Sequence, residues 1–86
     1  MHSMSNSAKF AELFKKYRLR SQINTLAQFA NLLAEEGMVY ENSLFSRWQS
    51  GERVPRDRKT IISLINVFAK NGGIRSFDQA DDILQS

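Results

Sequence analysis

Apolar residues recur along most of the chain at the three- and four-residue spacing that places them on one side of an α-helix. This pattern breaks only at short polar or glycine-containing connections. No run alternates apolar and polar residues, as a half-buried strand would. The spacing predicts an all-α fold of five helices over about residues 8–19, 26–36, 42–50, 58–70 and 77–85.

Several residues at the ends of these segments are typical of helix termini. Thr25 and Gln28 have the spacing of a capping box, in which each side chain binds a free backbone N–H of the other residue. Ser76 and Gln79 repeat that spacing before the fifth helix. Gly37 is expected to follow the second helix in the left-handed conformation, and Gly51 is expected to close the third helix.

The third segment has two different arcs on a helical wheel drawn at ~100° per residue. One arc is apolar and holds Leu44, Phe45 and Trp48. The opposite arc carries only amides, hydroxyls and one guanidinium, from Asn42, Ser43, Ser46, Arg47, Gln49 and Ser50. Amides and hydroxyls can read base edges, and arginine pairs with guanine or phosphate. The pattern therefore favours entry into a DNA groove, with an ordinary solvated face as the alternative.

The apolar stripes predict which side chains form the core. These are Phe29, Ala30, Phe45, Trp48, Ile61 and Leu64. The fourth helix is apolar nearly all round, which predicts a place in the middle of the bundle. In the fifth helix, we expect Phe77, Ile83 and Leu84 to complete the core rather than pair with a second chain.

Composition excludes several kinds of chemistry. The 86 residues suit one domain, and they include no cysteine and a single histidine, His2. Disulfides and zinc sites built from histidine and cysteine are therefore excluded. There is no glycine-rich phosphate loop and no carboxylate pair spaced for acid–base work. We expect no enzyme activity, no cofactor and no metal.

Two further expectations concern the N-terminus and location. Residues 1–6 contain a second methionine and the histidine before any periodic pattern, which predicts a disordered expression remnant ahead of a domain over 7–86. No apolar run approaches the ~20 residues of a membrane span. We therefore expect no membrane partner, and the lack of cysteine suits a reducing, cytoplasmic setting.

Charge is distributed unevenly. Residues 1–75 hold all twelve basic residues but only six of the nine acidic ones. Basic residues concentrate in Lys9–Arg20 and Arg47–Lys59, which suggests contact with a polyanion. In the first helix, Lys15 and Arg18 are candidate phosphate contacts, with a solvated face as the alternative.

The segment from Trp48 to Pro55, WQSGERVP, resembles the W-E-x-G-x-R-x-P ending of the recognition helix in lambda-repressor-like (Xre-type) helix-turn-helix domains. The preceding FSRW is similar to the family's I-S-R-W step, and TLAQFA, from Thr25, is similar to its T-Q-E-E-L-A opening. The resemblance covers about residues 10–68. Three features depart from the family. Leu26 replaces a phosphate-binding glutamine, Gln49 replaces a glutamate, and about five extra residues separate Ala30 from Trp48.

The resemblance implies a compact five-helix domain whose helices 2 and 3 form a helix-turn-helix. It implies sequence-specific binding of double-stranded DNA, with the recognition helix 42–50 in the major groove, in a transcriptional regulator or the DNA-binding domain of a larger one. The expected base-reading residues are Asn42, Ser43, Ser46 and Arg47. Together with the charge pattern, it gives the expected phosphate contacts as Ser50, Arg53, Arg56, Arg58, Lys15 and Arg18.

Two questions about partners stay open at this point. Members of the family often bind two-fold sites as homodimers, and further domains of a longer chain are also compatible with the sequence. The alternative to DNA binding is a protein-interaction adaptor of the same fold within a larger signalling protein.

Overall fold

The computed structural model describes residues 6–85, with side chains from Ala8 onward. Within this range the chain forms five helices and no strand, so the predicted all-α, five-helix fold is confirmed. The helices are α1 (Asn6–Arg20), α2 (Leu26–Glu35), α3 (Asn42–Ser50), α4 (Arg58–Lys70) and α5 (Phe77–Gln85). The predicted disordered segment lies outside the described residues except for Asn6, which is helical.

Aromatic rings from four helices meet at Phe14 of α1. Its ring lies 5.0 Å from that of Phe29 in α2 and 5.9 Å from that of Trp48 in α3, both edge to face. The ring of Phe68 in α4 is 6.1 Å away. Edge-to-face pairs add attraction beyond the burial of apolar area. Phe14 therefore links α1 to α2, α3 and α4.

The expectation that α4 lies in the middle of the bundle is wrong. The side chains of Leu64, Val67 and Phe68 are buried, but Ile62 is 45% exposed. The helix packs against α2 and α5, and Ile62 and Ala69 on its other side remain exposed. Of the six predicted core residues, Phe29, Phe45, Trp48 and Leu64 are buried, whereas Ala30 and Ile61 are only partly covered.

The capping box predicted at the start of α2 is formed in part. Thr25 Oγ1 accepts a hydrogen bond of 3.0 Å from the Gln28 N–H. The Gln28 side chain reaches one residue further back than expected and accepts from the Asn24 N–H at 3.2 Å. The same arrangement recurs at the start of α5. At both helix starts, the side chains of the cap residue and of a first-turn glutamine thus accept hydrogen bonds from backbone N–H groups.

The fifth helix contributes less to the core than predicted. Ile83 is buried, but Phe77 is 94% exposed and Leu84 is 38% exposed. Phe77 is the first residue of α5, and its ring borders a shallow apolar groove with Ile65 and Ala69 of α4 instead of entering the interior. The placement of Phe77 and Leu84 in the core is therefore corrected, whereas that of Ile83 is confirmed.

The helices of the described range are also too short or too polar to cross a membrane.

Candidate nucleic-acid interface

Helix α3 has a defined beginning and end. Glu41 occupies the N-cap position without a side-chain capping bond. At the other end, Gly51 closes the helix as predicted and adopts φ = 85°, a left-handed conformation that glycine favours. This turn brings the N–H groups of Glu52 and Arg53 to the Arg47 carbonyl, at 3.0 and 3.2 Å. The segment after α3 therefore folds back over the last turn of the helix.

The inward face of α3 is anchored by two aromatic side chains. Phe45 and Trp48 are both buried, with ring centroids 5.2 Å apart. Phe45 packs edge to face on Phe29 at 5.1 Å. Tyr40, just before the helix, contacts Phe45 at 6.3 Å, which is the hydrophobic-staple position. Its hydroxyl lies 2.9 Å from that of Thr60 in α4. The ring and the hydroxyl of Tyr40 therefore both hold the start of α3 in place.

The outward face of α3 is free of cover from the other helices. Asn42, Ser43, Ser46 and Arg47 are all exposed, so the residues expected to read bases share one accessible surface. We call Asn42, Ser43, Ser46 and Arg47 the α3 face. The aromatic anchor on the opposite side limits rotation of the helix about its axis. The side chains of the α3 face are thus held in a fixed register.

Arg18 is not on the surface, and its expected contact with phosphate is corrected. The residue is only 6% exposed. Its Nη1 donates to the Ile23 carbonyl at 2.8 Å and its Nη2 to Gln49 Oε1 at 2.9 Å. The Nε atom is buried and has no hydrogen-bond partner among the residues that the structure describes. The sequence contained a signal for this, because Arg18 follows Phe14 by four residues and so continues the buried stripe of α1. Gln49, assigned to the polar arc, instead turns toward α1.

A carboxylate lies beside the α3 face, which sequence reasoning did not anticipate. Arg47 Nε is 3.7 Å from Glu52 Oε2 in an exposed ion pair. At the start of the helix, Glu41 Oε2 accepts a hydrogen bond of 3.5 Å from the Ser43 hydroxyl. The third segment itself contains no carboxylate. The turn at Gly51, however, brings the next acidic side chain back to it.

The other expected phosphate contacts differ in their surroundings. Arg53, Arg56, Arg58 and Lys15 are exposed. Arg53 and Arg56 follow α3 in a loop whose Val54 is half-buried and packs against the core, and Arg58 is the first residue of α4. Lys15 lies on α1, and the described part of the chain gives it no ion-pair or hydrogen-bond partner.

Ser50 is exposed, but its hydroxyl is already engaged. It donates to the Arg47 carbonyl at 3.1 Å and accepts from the Glu52 N–H at 3.4 Å. A phosphate contact through this hydroxyl would replace a bond that closes the end of α3. Ser50 is therefore better placed to stabilise the turn than to bind an anion.

Among the described residues, no three histidine or acidic side chains are grouped so that they could hold a metal ion. The polar side chains on α3 and beside its outward face supply hydroxyls, two amides, guanidinium groups and two carboxylates. These groups can form hydrogen bonds and ion pairs with a ligand.

No family model matches the chain, and no match was found among curated proteins or solved structures.

Proposed function

We propose that this chain binds double-stranded DNA in a sequence-specific way, with α3 in the major groove, as a transcriptional regulator or the DNA-binding domain of one. In this proposal α2 and α3 form a helix-turn-helix of the lambda-repressor-like kind. The observation that carries it is the division of α3 into a buried aromatic side and the exposed α3 face. The major groove is wide enough to admit an α-helix, and amides, hydroxyls and guanidinium groups can distinguish base pairs there.

Positive charge next to α3 supports the same function. Arg53, Arg56 and Arg58 lie in or just after the loop that leaves α3, and all three are exposed. Phosphate contacts of this kind set the orientation of a protein on the duplex, while base contacts carry specificity. The proposal therefore gives the α3 face the role of reading sequence and the loop the role of holding the backbone.

Selection of bound sites from a random duplex library, followed by affinity measurements at several salt concentrations, tests the proposal. We expect an enriched site, and we expect log K to fall linearly with log salt by about 0.9 for each phosphate neutralised. Binding that is independent of salt, or the lack of binding at millimolar protein, would contradict DNA binding.

Two substitutions separate the proposed roles. Asn42→Ala should weaken binding to the selected site more than binding to a scrambled duplex, because it removes a base-reading amide. Arg56→Gln should weaken both duplexes alike and lower the salt slope by about 1, because it removes a phosphate contact. Identical behaviour of the two variants would contradict the assignment of roles.

A second candidate function is a protein-interaction adaptor. The observation that favours it is the exposed ring of Phe77 beside Ile65 and Ala69, since an exposed apolar groove is typical of a surface that binds another protein. If the chain is an adaptor, addition of DNA would leave the α3 face unperturbed.

The same groove also bears on the DNA-binding proposal. A second copy of this chain, bound as a homodimer on DNA, is one partner compatible with the groove.

A further inference from the structure

The ion pair between Arg47 and Glu52 has no evident role in stability. Both side chains are largely in solvent, with 52% and 68% of their surfaces exposed. Exposed ion pairs contribute little to folding because water and salt screen them. The pair does, however, place a negative charge at the edge of the surface proposed to meet DNA.

The position of Glu52 is fixed by the backbone. Its N–H donates to the Arg47 carbonyl at 3.0 Å, and the preceding Gly51 holds the left-handed turn that makes this bond possible. This backbone arrangement places the Glu52 side chain close to Arg47, with Oε2 3.7 Å from Nε. The carboxylate approaches the Nε atom, which leaves the two terminal nitrogens of the guanidinium available. Arginine can use these two nitrogens to bind O6 and N7 of guanine.

We propose that Glu52 is a specificity-determining residue that acts by weakening non-specific binding. This inference rests on the proposed DNA-binding function. Non-specific affinity comes almost entirely from attraction between basic side chains and phosphates. Glu52 opposes that attraction because it pairs with Arg47 and so reduces the positive charge that Arg47 presents to phosphates. At the correct site, Arg47 binds guanine while Glu52 remains paired with its Nε.

The test compares Glu52→Gln with a matched control, Glu35→Gln. Both changes remove one negative charge from an exposed side chain, but Glu35 lies at the end of α2 beside Asn71, away from the α3 face. We expect Glu52→Gln to bind a scrambled duplex about three- to tenfold more tightly and to change affinity for the selected duplex less than twofold. The ratio of affinity for the selected duplex to affinity for the scrambled duplex should therefore fall in Glu52→Gln. Glu35→Gln should leave this ratio unchanged.

A double-mutant comparison tests whether Glu52 acts through Arg47. In an Arg47→Ala background, Glu52→Gln should tighten scrambled-duplex binding by a smaller factor than in the wild type. If Glu52→Gln shifts both duplexes by the same factor, the inference is overturned while DNA binding stands. If the wild type binds no duplex, the proposed function fails and the inference fails with it.

Discussion

Arg18 donates a hydrogen bond of 2.9 Å through Nη2 to Gln49 Oε1 and so ties α1 to the last turn of α3. Arg18 is buried, and no carboxylate in the described part of the chain pairs with its guanidinium. A buried charge that lacks a counter-ion lowers stability. The contact thus fixes the position of α3 but leaves the charge of Arg18 uncompensated.

We expect Gln49→Glu to raise the free energy of unfolding by about 1–2 kcal/mol at pH 7, because a carboxylate would give Arg18 a counter-ion and a stronger hydrogen bond. Pairing lowers the pKa of the introduced carboxyl in the folded state. The gain is therefore present above the unfolded pKa of about 4.3 and is lost as pH falls through the lower folded value. Urea unfolding at several pH values measures both effects. Unchanged or reduced stability at pH 7 would contradict the role of Arg18 as an uncompensated charge.

Arg18 and Lys15 offer a comparison between an interior and a surface cation of the same helix. Arg18→Ala should lower stability by about 2–4 kcal/mol, because it opens a cavity and leaves the Ile23 carbonyl and Gln49 without their donor. Lys15→Ala should change stability by less than about 0.5 kcal/mol. It should still weaken DNA binding if Lys15 contacts phosphate. Thermal unfolding of both variants gives the result, and similar losses would contradict the interior placement of Arg18.

Gly73 is required by a close approach between the connector after α4 and the end of α1. A Cβ atom there would lie 1.9 Å from Ser21 Oγ and 2.8 Å from the Tyr17 carbonyl oxygen. Because the carbonyl belongs to a helix and cannot easily move, Gly73→Ala should cost about 1–3 kcal/mol. Gly37→Ala is the control, since its φ of +91° gives strain but no atom lies within 4 Å. In calorimetry we expect the Gly37 variant to lose only about 1 kcal/mol.

The fifth helix provides a test of the corrected position of Phe77. Phe77→Ser should leave the free energy of unfolding within about 0.5 kcal/mol of the wild type, because the ring is almost fully exposed. Ile83→Ala, on the same helix, should cost about 2–4 kcal/mol because Ile83 is buried. Urea unfolding of the pair measures the difference. A large loss on removal of the Phe77 ring would mean that it packs inside the protein.

The helices could be predicted because each carries enough apolar residues at helical spacing to define its buried side. The predictions of burial failed where the spacing and the type of a residue disagree, or where no other element packs against that side of a helix. Arg18 has the spacing of a core residue and the charge of a surface residue, and spacing determined its place. Phe77 has an apolar side chain, but no helix among residues 6–85 covers that part of α5.

The candidate interface was predicted less completely than the helices. The helical wheel correctly predicted the separation of the aromatic anchor from the exposed α3 face, because that separation is a property of a single helix. It could not place Glu52 beside Arg47, since their proximity depends on the turn at Gly51. It also could not show that Gln49 turns toward Arg18, because that contact joins two helices distant in sequence.

An amide-shift titration of isotope-labelled protein with the selected duplex tests DNA binding by α3 most directly. We expect salt-sensitive shifts over Asn42–Ser50 and over Arg53–Arg58, with little change at Phe77 and the rest of α5. Shifts confined to α5, or no shifts at millimolar duplex, would contradict DNA binding by α3.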